Sequence, residues 1–449
     1  MVLALALCRS ASAQEASESL HEGDLSTRDA LTGNWGGKRS SLEDSGILLG
    51  ADSIDEVFGN VSGGIGTGAI YEGRLEFLAT LNLEKLIGWD GATFHVNAYQ
   101  IRGRGLSAND LGNNLATASN IEAGRSTRLF DLWVEQVLFQ GMVSVRAGQI
   151  AADDEFFTSQ YAASFVNATF GWPALMSSNL PSGGPAYPLA TPGLRVSVAP
   201  TDELTFSAAV LNGDPAGAGP GDPQQRDASG TAFRFDDGAF AIGEASYAIN
   251  QQKDASGLPA TFKLGAWYHT GKFADQRFDD AGLSLAAPNS SGLPATHRSD
   301  YGVYAVIDQS VWIDPDNADR NIGLFFRAGG SPPDRNEVSL YADAGLNFKG
   351  LVAGRTDDVF GLAAAVVRIG SSARALDADI RRFGGLDTPV RDSETVIEMT
   401  YRYQVTPWWS VQPDIQFIRH PGGSVSLPAD PTRPIPDALL FGMRSAVLF

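Results

Sequence analysis

From residue 46 to its last residue, the chain alternates apolar and polar residues in stretch after stretch. In YEGRLEFLATLNL, Tyr71, Leu75, Phe77, Ala79, Leu81 and Leu83 fall on one face, and Glu72, Arg74, Glu76, Thr80 and Asn82 on the other, with Leu78 the exception. In GLRVSVAP, Leu194, Val196 and Val198 oppose Arg195 and Ser197. In ETVIEMTYRYQV, Ile397, Met399, Tyr401 and Tyr403 oppose Glu398, Thr400, Arg402 and Gln404. In WSVQPDIQFIRH, Val411, Ile415 and Phe417 oppose Gln412, Asp414 and Gln416. A period of two marks an extended strand with one apolar and one polar face. Each such strand needs an apolar medium on one side and a polar one on the other. Hydrophobic residues make up 43% of the chain, yet no run approaches the roughly 18 apolar residues of a membrane helix. A membrane crossing by this chain would be made by strands.

About sixteen strands can be placed, at 46–58, 67–84, 92–103, 127–139, 142–152, 191–200, 203–212, 232–250, 261–272, 299–312, 320–331, 335–350, 356–370, 393–406, 409–420 and 435–449. Connections after even-numbered strands are mostly short, such as Gln140 with Gly141, or the turn around Asp202. Those after odd-numbered strands are often long: 103–126, 151–190, 213–231, 272–298 and 371–392. Short turns on one rim, long loops on the other and an even strand number are the plan of an outer-membrane barrel, with both ends on the short-turn, periplasmic rim. The final stretch, FGMRSAVLF, fits that plan. Leu439, Phe441, Met443, Val447 and Phe449 share a face, with Arg444 opposite. An open sheet edge in lipid would leave backbone groups unpaired, so the last strand has to close on the first. A sandwich whose last strand happens to be terminal is the alternative. The expected fold is all-β: a transmembrane antiparallel β-barrel spanning 46–449, with an inward-folded constriction loop and a short N-terminal periplasmic segment.

Residues 1–13, MVLALALCRSASA, read as a secretory signal, with a short apolar core from Val2 to Leu7 and small residues Ala11, Ser12 and Ala13 at the cleavage site. The usual positive charge at the start is missing, so the true start is expected upstream. Leu7 is too large for a lipoprotein cleavage box before Cys8. Cys8 is the only cysteine, which suits an exported protein with no disulfide framework. Residues 14–45 form the N-terminal segment, in which the glycine pair beside Trp35 suggests a compact turn or plug before the first strand. The net charge of −19 argues against nucleic acid, whose phosphates need surplus Lys and Arg. Most of the positive charge is arginine, a rigid planar fork of donors suited to fixed hydrogen-bonding tasks.

LTGNWGGKRSSLEDSGI (31–47), SGGPAYPLATPGLRV (182–196) and VQPDIQFIRHPGG (411–423), with the terminal Phe449, resemble the carbohydrate-selective, OprB-like porins of Gram-negative outer membranes. The similarity runs from Leu31 to Phe449. It implies a sixteen-stranded barrel through which sugars diffuse without energy input. It also implies a waist where an inward-folded loop meets charged wall residues.

A sugar presents a ring of hydroxyls and weakly apolar CH faces. A selective pore therefore needs paired donors and acceptors, which rows of Arg facing Asp or Glu supply, together with aromatic rings for stacking. In FDLWVEQVLFQGMVSVRAGQ, Phe130, Leu132, Val134 and Leu138 are expected to face lipid, and Asp131, Trp133 and Glu135 the lumen. A turn at Gln140 and Gly141 sets Glu135 opposite Arg146 and Leu138 opposite Val143, near enough for a charge pair. That pair either contacts sugar or stiffens the wall. Further lumen candidates are Glu72, Arg74, Glu76, Arg102, Arg195, Glu398 with Arg402, Gln412, Asp414 and Gln416. Only those at waist level would touch a solute. Segment 151–190 is too long for a passive turn. Its aromatics, Phe156, Phe157, Tyr161, Phe165, Phe170 and Trp172, suggest that it folds into the barrel and narrows it, with Asp153, Asp154 and Glu155 near its start. An outer lid packed on neighbouring loops is the alternative.

GGIGTG (63–68) resembles a dinucleotide loop only in its glycines, since no helix follows. DPDNAD (314–319) offers oxygen ligands at alternate positions, but lacks the rest of a calcium loop and reads as an acidic turn. The histidines have no zinc spacing, and no Gly-x-Ser-x-Gly nucleophile motif occurs. The sequence thus reads as a passive porin for mono- and small oligosaccharides in the outer membrane of a Gram-negative bacterium, with no catalysis, cofactor or metal. A general diffusion pore, a plugged barrel or adhesin, and an exported glycan hydrolase are the rivals. Expected partners are small carbohydrates, outer-membrane lipid and lipopolysaccharide, and the barrel-assembly machinery acting on the strand that ends at Phe449. Monomer and homotrimer both stay open.

Overall fold

The computed structural model describes residue 21 and residues 23–112, 115–252 and 255–449. The expected signal segment 1–13, with Cys8, lies outside the described residues. The strands are β1 (Ile47–Ser62), β2 (Gly68–Asn82), β3 (Ala92–Gly103), β4 (Ser126–Leu138), β5 (Val143–Ile150), β6 (Thr191–Val198), β7 (Leu204–Asn212), β8 (Ala239–Ile249), β9 (Ala260–Asp279), β10 (Pro294–Ile313), β11 (Asn321–Gly330), β12 (Val338–Lys349), β13 (Val359–Ile369), β14 (Ser393–Thr406), β15 (Trp409–Arg419), β16 (Ser426–Leu427), β17 (Asp430–Pro434) and β18 (Ala438–Leu448). All except the small β16–β17 hairpin form one closed sixteen-stranded antiparallel barrel. The seam is the pairing the terminal strand demanded: β18 joins β1 from Asp52 opposite Leu448 to Asn60 opposite Leu440.

Alternation becomes an outside and an inside. Val57, Phe77, Val210, Leu264, Val303 and Phe441 face outward and are exposed. Glu56, Arg327, Asp343, Glu398 and Gln416 face inward and are buried. Segment 151–190 enters the barrel and occupies part of its interior. The chain before β1 lies against the rim where β18 ends. There the Leu31 N–H donates to the Leu448 carbonyl (2.8 Å), and the Trp408 Nε1–H to the Leu25 carbonyl (2.7 Å). Arg39 donates to the Phe449 carbonyl (2.6 Å) and lies over the Trp35 ring.

The structure departs from the sequence-based expectation in places with physical causes. β9 and β10 extend well past the expected 272 and 299, pairing Phe273 with His297 and Lys272 with Arg298. This extension has no apolar face to reveal it. Phe130 points inward, not to lipid. The β3–β4 register shifts between Val96, opposite Leu132, and Ala98, opposite Leu129. That irregularity turns Phe130 onto Tyr99 (ring centroids 5.0 Å apart) and Tyr187. Arg102 points outward, not into the lumen. It pairs with Gly73, which pairs with Asp55 in the same outward row. Its guanidinium donates to Asp55 (2.9 Å) and Ser53 (3.0 Å). Near this rim Tyr99 and Ile101 are buried inside, so the rule that apolar residues face outward inverts.

Leu264 is 67% exposed on the outward face of β9. Leu264→Arg is expected to cost about 2–4 kcal/mol of barrel stability if that face meets the bilayer midplane, read as a lowered denaturant midpoint in lipid vesicles.

Candidate functional site

The β4–β5 turn sets Glu135 opposite Arg146, as its spacing predicts, and β5–β6 pairing sets Arg146 opposite Arg195. Directly opposed like charges repel, and carboxylates hold these two together. Glu135 bridges Arg146 (3.0 Å) and Arg195. Glu155, from the start of segment 151–190, bridges the same two arginines at 2.8 and 2.9 Å. The result is a closed ring of alternating charge joining wall to loop. Glu135, Arg146 and Glu155 keep side-chain exposures of 19%, 15% and 25%, so the ring meets the open lumen.

Trp133 faces inward beside this ring but offers no stacking platform. The Arg146 guanidinium lies over its ring, 3.9 Å from the centroid, the His95 ring stacks on it at 4.8 Å, and the residue is only 8% exposed. His95 is fixed by Thr80 (2.8 Å). Arg74 lies between Asp52 (3.1 Å) and Glu76 (3.2 Å), and over Tyr99. Asp131, inward and buried, sets its carboxyl against that of Asp154, which is exposed. Asp153, in the loop, accepts from the Tyr187 N–H (3.0 Å). Burial, with the Asp154 charge beside it, pushes the Asp153 carboxyl up to about 8.

The rest of segment 151–190 packs on the inner faces of β8–β15. Arg327, fully buried, is paired with Asp343 (2.5 Å) and donates to the carbonyls of Phe157 (2.9 Å), Thr169 (3.0 Å) and Gly171 (3.0 Å). Phe157 stacks on Tyr304 (4.1 Å), and Phe165 and Phe170 pack on Phe325. The wall makes room for this. A Cβ on inward-facing Gly323 would lie 2.0 Å from the Tyr161 ring, and one on Gly361 2.9 Å from Phe165.

Several residues predicted to line the lumen lie beneath this layer. Glu398 faces inward but accepts the N–H groups of Val166 (2.6 Å) and Asn167 (2.9 Å). Gln412 donates to the Ser164 carbonyl (2.9 Å), and Gln416 to the Ala118 carbonyl (2.8 Å) and to Asp414 (2.9 Å). These side chains anchor loops, and their burial keeps them from a solute. Glu72 is inward and 3% exposed, opposite Glu56. Arg402 is inward and half-buried. The structure therefore brings Glu135, Arg146, Arg195 and Asp154 together, with Asp131, Asp153, Trp133, Arg74 and Glu76 around them.

Arg327, Asp343 and His95 were missed in the sequence, as was the bridging role of Glu155. Their partners lie far away in the chain, and only the inward parity of Arg327 among buried neighbours offered a signal. In the acidic turn, Asp314 accepts from the Asp316 N–H (2.9 Å) and pairs with Arg320 (2.6 Å). Among the described residues no group of three His, Cys, Asp or Glu has metal-holding geometry.

The family model for the carbohydrate-selective porins, OprB family, matches residues 66–449. The chain belongs to that family. Porin B of Pseudomonas aeruginosa is 26% identical over 419 residues, covering 88% of this chain and 87% of that one. The barrel superposes on OprB of Pseudomonas putida in its high-pH structure with a TM-score of 0.84, at 24% identity over 95% of this chain and 100% of that chain. The low-pH structure of Pseudomonas putida OprB gives 0.58 at 20% identity, over 94% and 99%. In this OprB-family barrel, planar donors and carboxylate acceptors alternate where loop meets wall, which is an arrangement for exchanging hydrogen bonds with hydroxyls.

Arg327→Met leaves Asp343 buried without its cation, and is expected to cost about 3–5 kcal/mol. It should also free segment 151–190, giving faster proteolysis within it and a larger single-channel conductance. Unchanged cleavage and conductance would mean that aromatic packing alone holds the segment.

Proposed function

We propose that the chain is a passive outer-membrane channel for mono- and small oligosaccharides, with its waist where the β4–β6 wall faces the start of segment 151–190. The observation that carries this reading is the ring of Arg146, Glu135, Arg195 and Glu155. A hydrated sugar entering such a slot exchanges water hydrogen bonds for bonds to guanidinium donors and carboxylate acceptors. Because hydroxyls both donate and accept, each ring position can be met as the sugar turns and advances. An apolar solute gains nothing there and loses its water. With Trp133 covered on its faces, selectivity rests on hydrogen bonding, not on stacking against that ring.

Membership of the porin family and the closed barrel support a channel over an enzyme. Placement in the outer membrane is supported by the apolar outer wall and the asymmetry of its rims. The segment before β1 would then lie on the periplasmic side.

Liposome swelling tests the reading with glucose, an amino acid of similar size and a disaccharide. Glucose should enter faster than the amino acid, and Glu135→Gln should cut that preference about tenfold or more, as expected for losing one hydrogen bond to a charged group. Equal rates for size-matched solutes would make the barrel a general diffusion pore. No entry by any solute through inserted protein would favour a plugged barrel.

A further inference from the structure

We infer that the waist also sorts solutes by charge, favouring neutral and ammonium-bearing sugars over sugar acids, and that Asp154 is the residue that sets this preference. The inference rests on the sugar-channel reading above and adds its charge class.

Arg402, inward on β14, forms no ion pair within 4 Å among the described residues, but where the loop start meets the wall Arg146, Arg195, Arg74 and Lys263 are each already met by carboxylate. Arg146 and Arg195 share Glu135 and Glu155. Arg74 is held between Asp52 and Glu76. Lys263, on the β9 side of the opening, pairs with Glu244 (3.2 Å) and donates to Thr158 (3.0 Å). None of these cations has a charge left over for an anionic solute. The carboxylates are in excess. Asp154 is exposed among the described residues and its carboxyl faces another carboxyl, that of Asp131, instead of a cation. Asp131 is 4% exposed, and its Oδ1 has no hydrogen-bond partner among the described residues. Asp153 is turned into the loop itself, where its carboxylate accepts the Tyr187 N–H (3.0 Å). The unbalanced charge that a solute meets is therefore negative and centred on Asp154. A pore walled by low-dielectric protein and lipid focuses such a field. A protonated amino sugar would exchange water for this carboxylate, whereas an aldonate or uronate would meet only repulsion and arginines already engaged.

The test uses the full-length protein in planar bilayers and vesicles at mildly acidic pH. The zero-current potential is read in a potassium chloride gradient, and entry of glucosamine, glucose and gluconate is compared. The expected order is glucosamine, then glucose, then gluconate, with a cation-selective potential. A unit charge about 4 Å away in water-like surroundings is worth about fivefold, so Asp154→Asn should shrink the glucosamine-to-glucose ratio by about that factor and the glucosamine-to-gluconate ratio by about its square. Asp154→Arg should turn the potential toward anions. Gluconate entering as fast as glucosamine, or a potential unmoved by either substitution, would overturn the inference. Cation selectivity that follows Asp154 without glucose entry would uphold the charge filter and overturn the sugar reading instead. No current from inserted protein would overturn both.

Discussion

The interior of this barrel is organised around one buried guanidinium. Arg327 projects from β11 into a region with no access to water, where an unpaired charge would be prohibitive. Asp343 on the neighbouring strand supplies the counter-charge, and Tyr341 donates to the same carboxylate (2.6 Å). The remaining donors reach the carbonyls of Phe157, Thr169 and Gly171. Without Arg327 those carbonyls would be buried acceptors with a lost partner; without segment 151–190 the arginine would lose the carbonyl acceptors of its Nη1 and Nη2 groups. Loop and wall therefore require each other, and the aromatic contacts of Phe157, Phe165 and Phe170 follow from that fixed path.

Fixing the loop on one half of the barrel decides what the other half can do. The β8–β15 side becomes a packed interior in which Glu398, Gln412 and Gln416 serve as anchors. The ion ring lies against β4–β6, where Glu135, Arg146 and Glu155 stay partly exposed, and the loop returns its first turn to that wall through Glu155. The same ion ring latches the loop to the wall, and in the proposed channel it would present alternating donors and acceptors to a passing sugar. Paired charges in such a place are held rigid, which keeps the spacing of donors constant as solutes exchange.

Alternation along the strands made the barrel, its closure by β18 and the pairing of Glu135 with Arg146 legible in the sequence. These depend on neighbours in the sheet, and the turn at Gln140 and Gly141 fixes their register. Phe130 and Arg102 were misplaced because a register irregularity and an inner apolar cluster override alternation at the upper end of β3 and β4. Glu398, Asp414 and Gln416 were read correctly as inward, but inward does not mean wet. Whether a lumen-facing side chain meets solute depends on where a distant loop lies, and parity carries no information about that. The inward glycines Gly323 and Gly361 hold the one local trace, since each leaves a space that a loop aromatic fills.

Thiol accessibility tests this division of the lumen most directly. Ser197 faces inward on the open side and is half-buried. Ala363 faces inward on β13 and is only 3% exposed. Single cysteines at these positions would be treated with a charged methanethiosulfonate reagent while single-channel current is recorded. Ser197→Cys should react quickly and reduce conductance, and Ala363→Cys should stay unreactive with its conductance unchanged. Rapid block through Ala363→Cys would place the water path on the wrong side of the barrel and contradict the loop-filled interior.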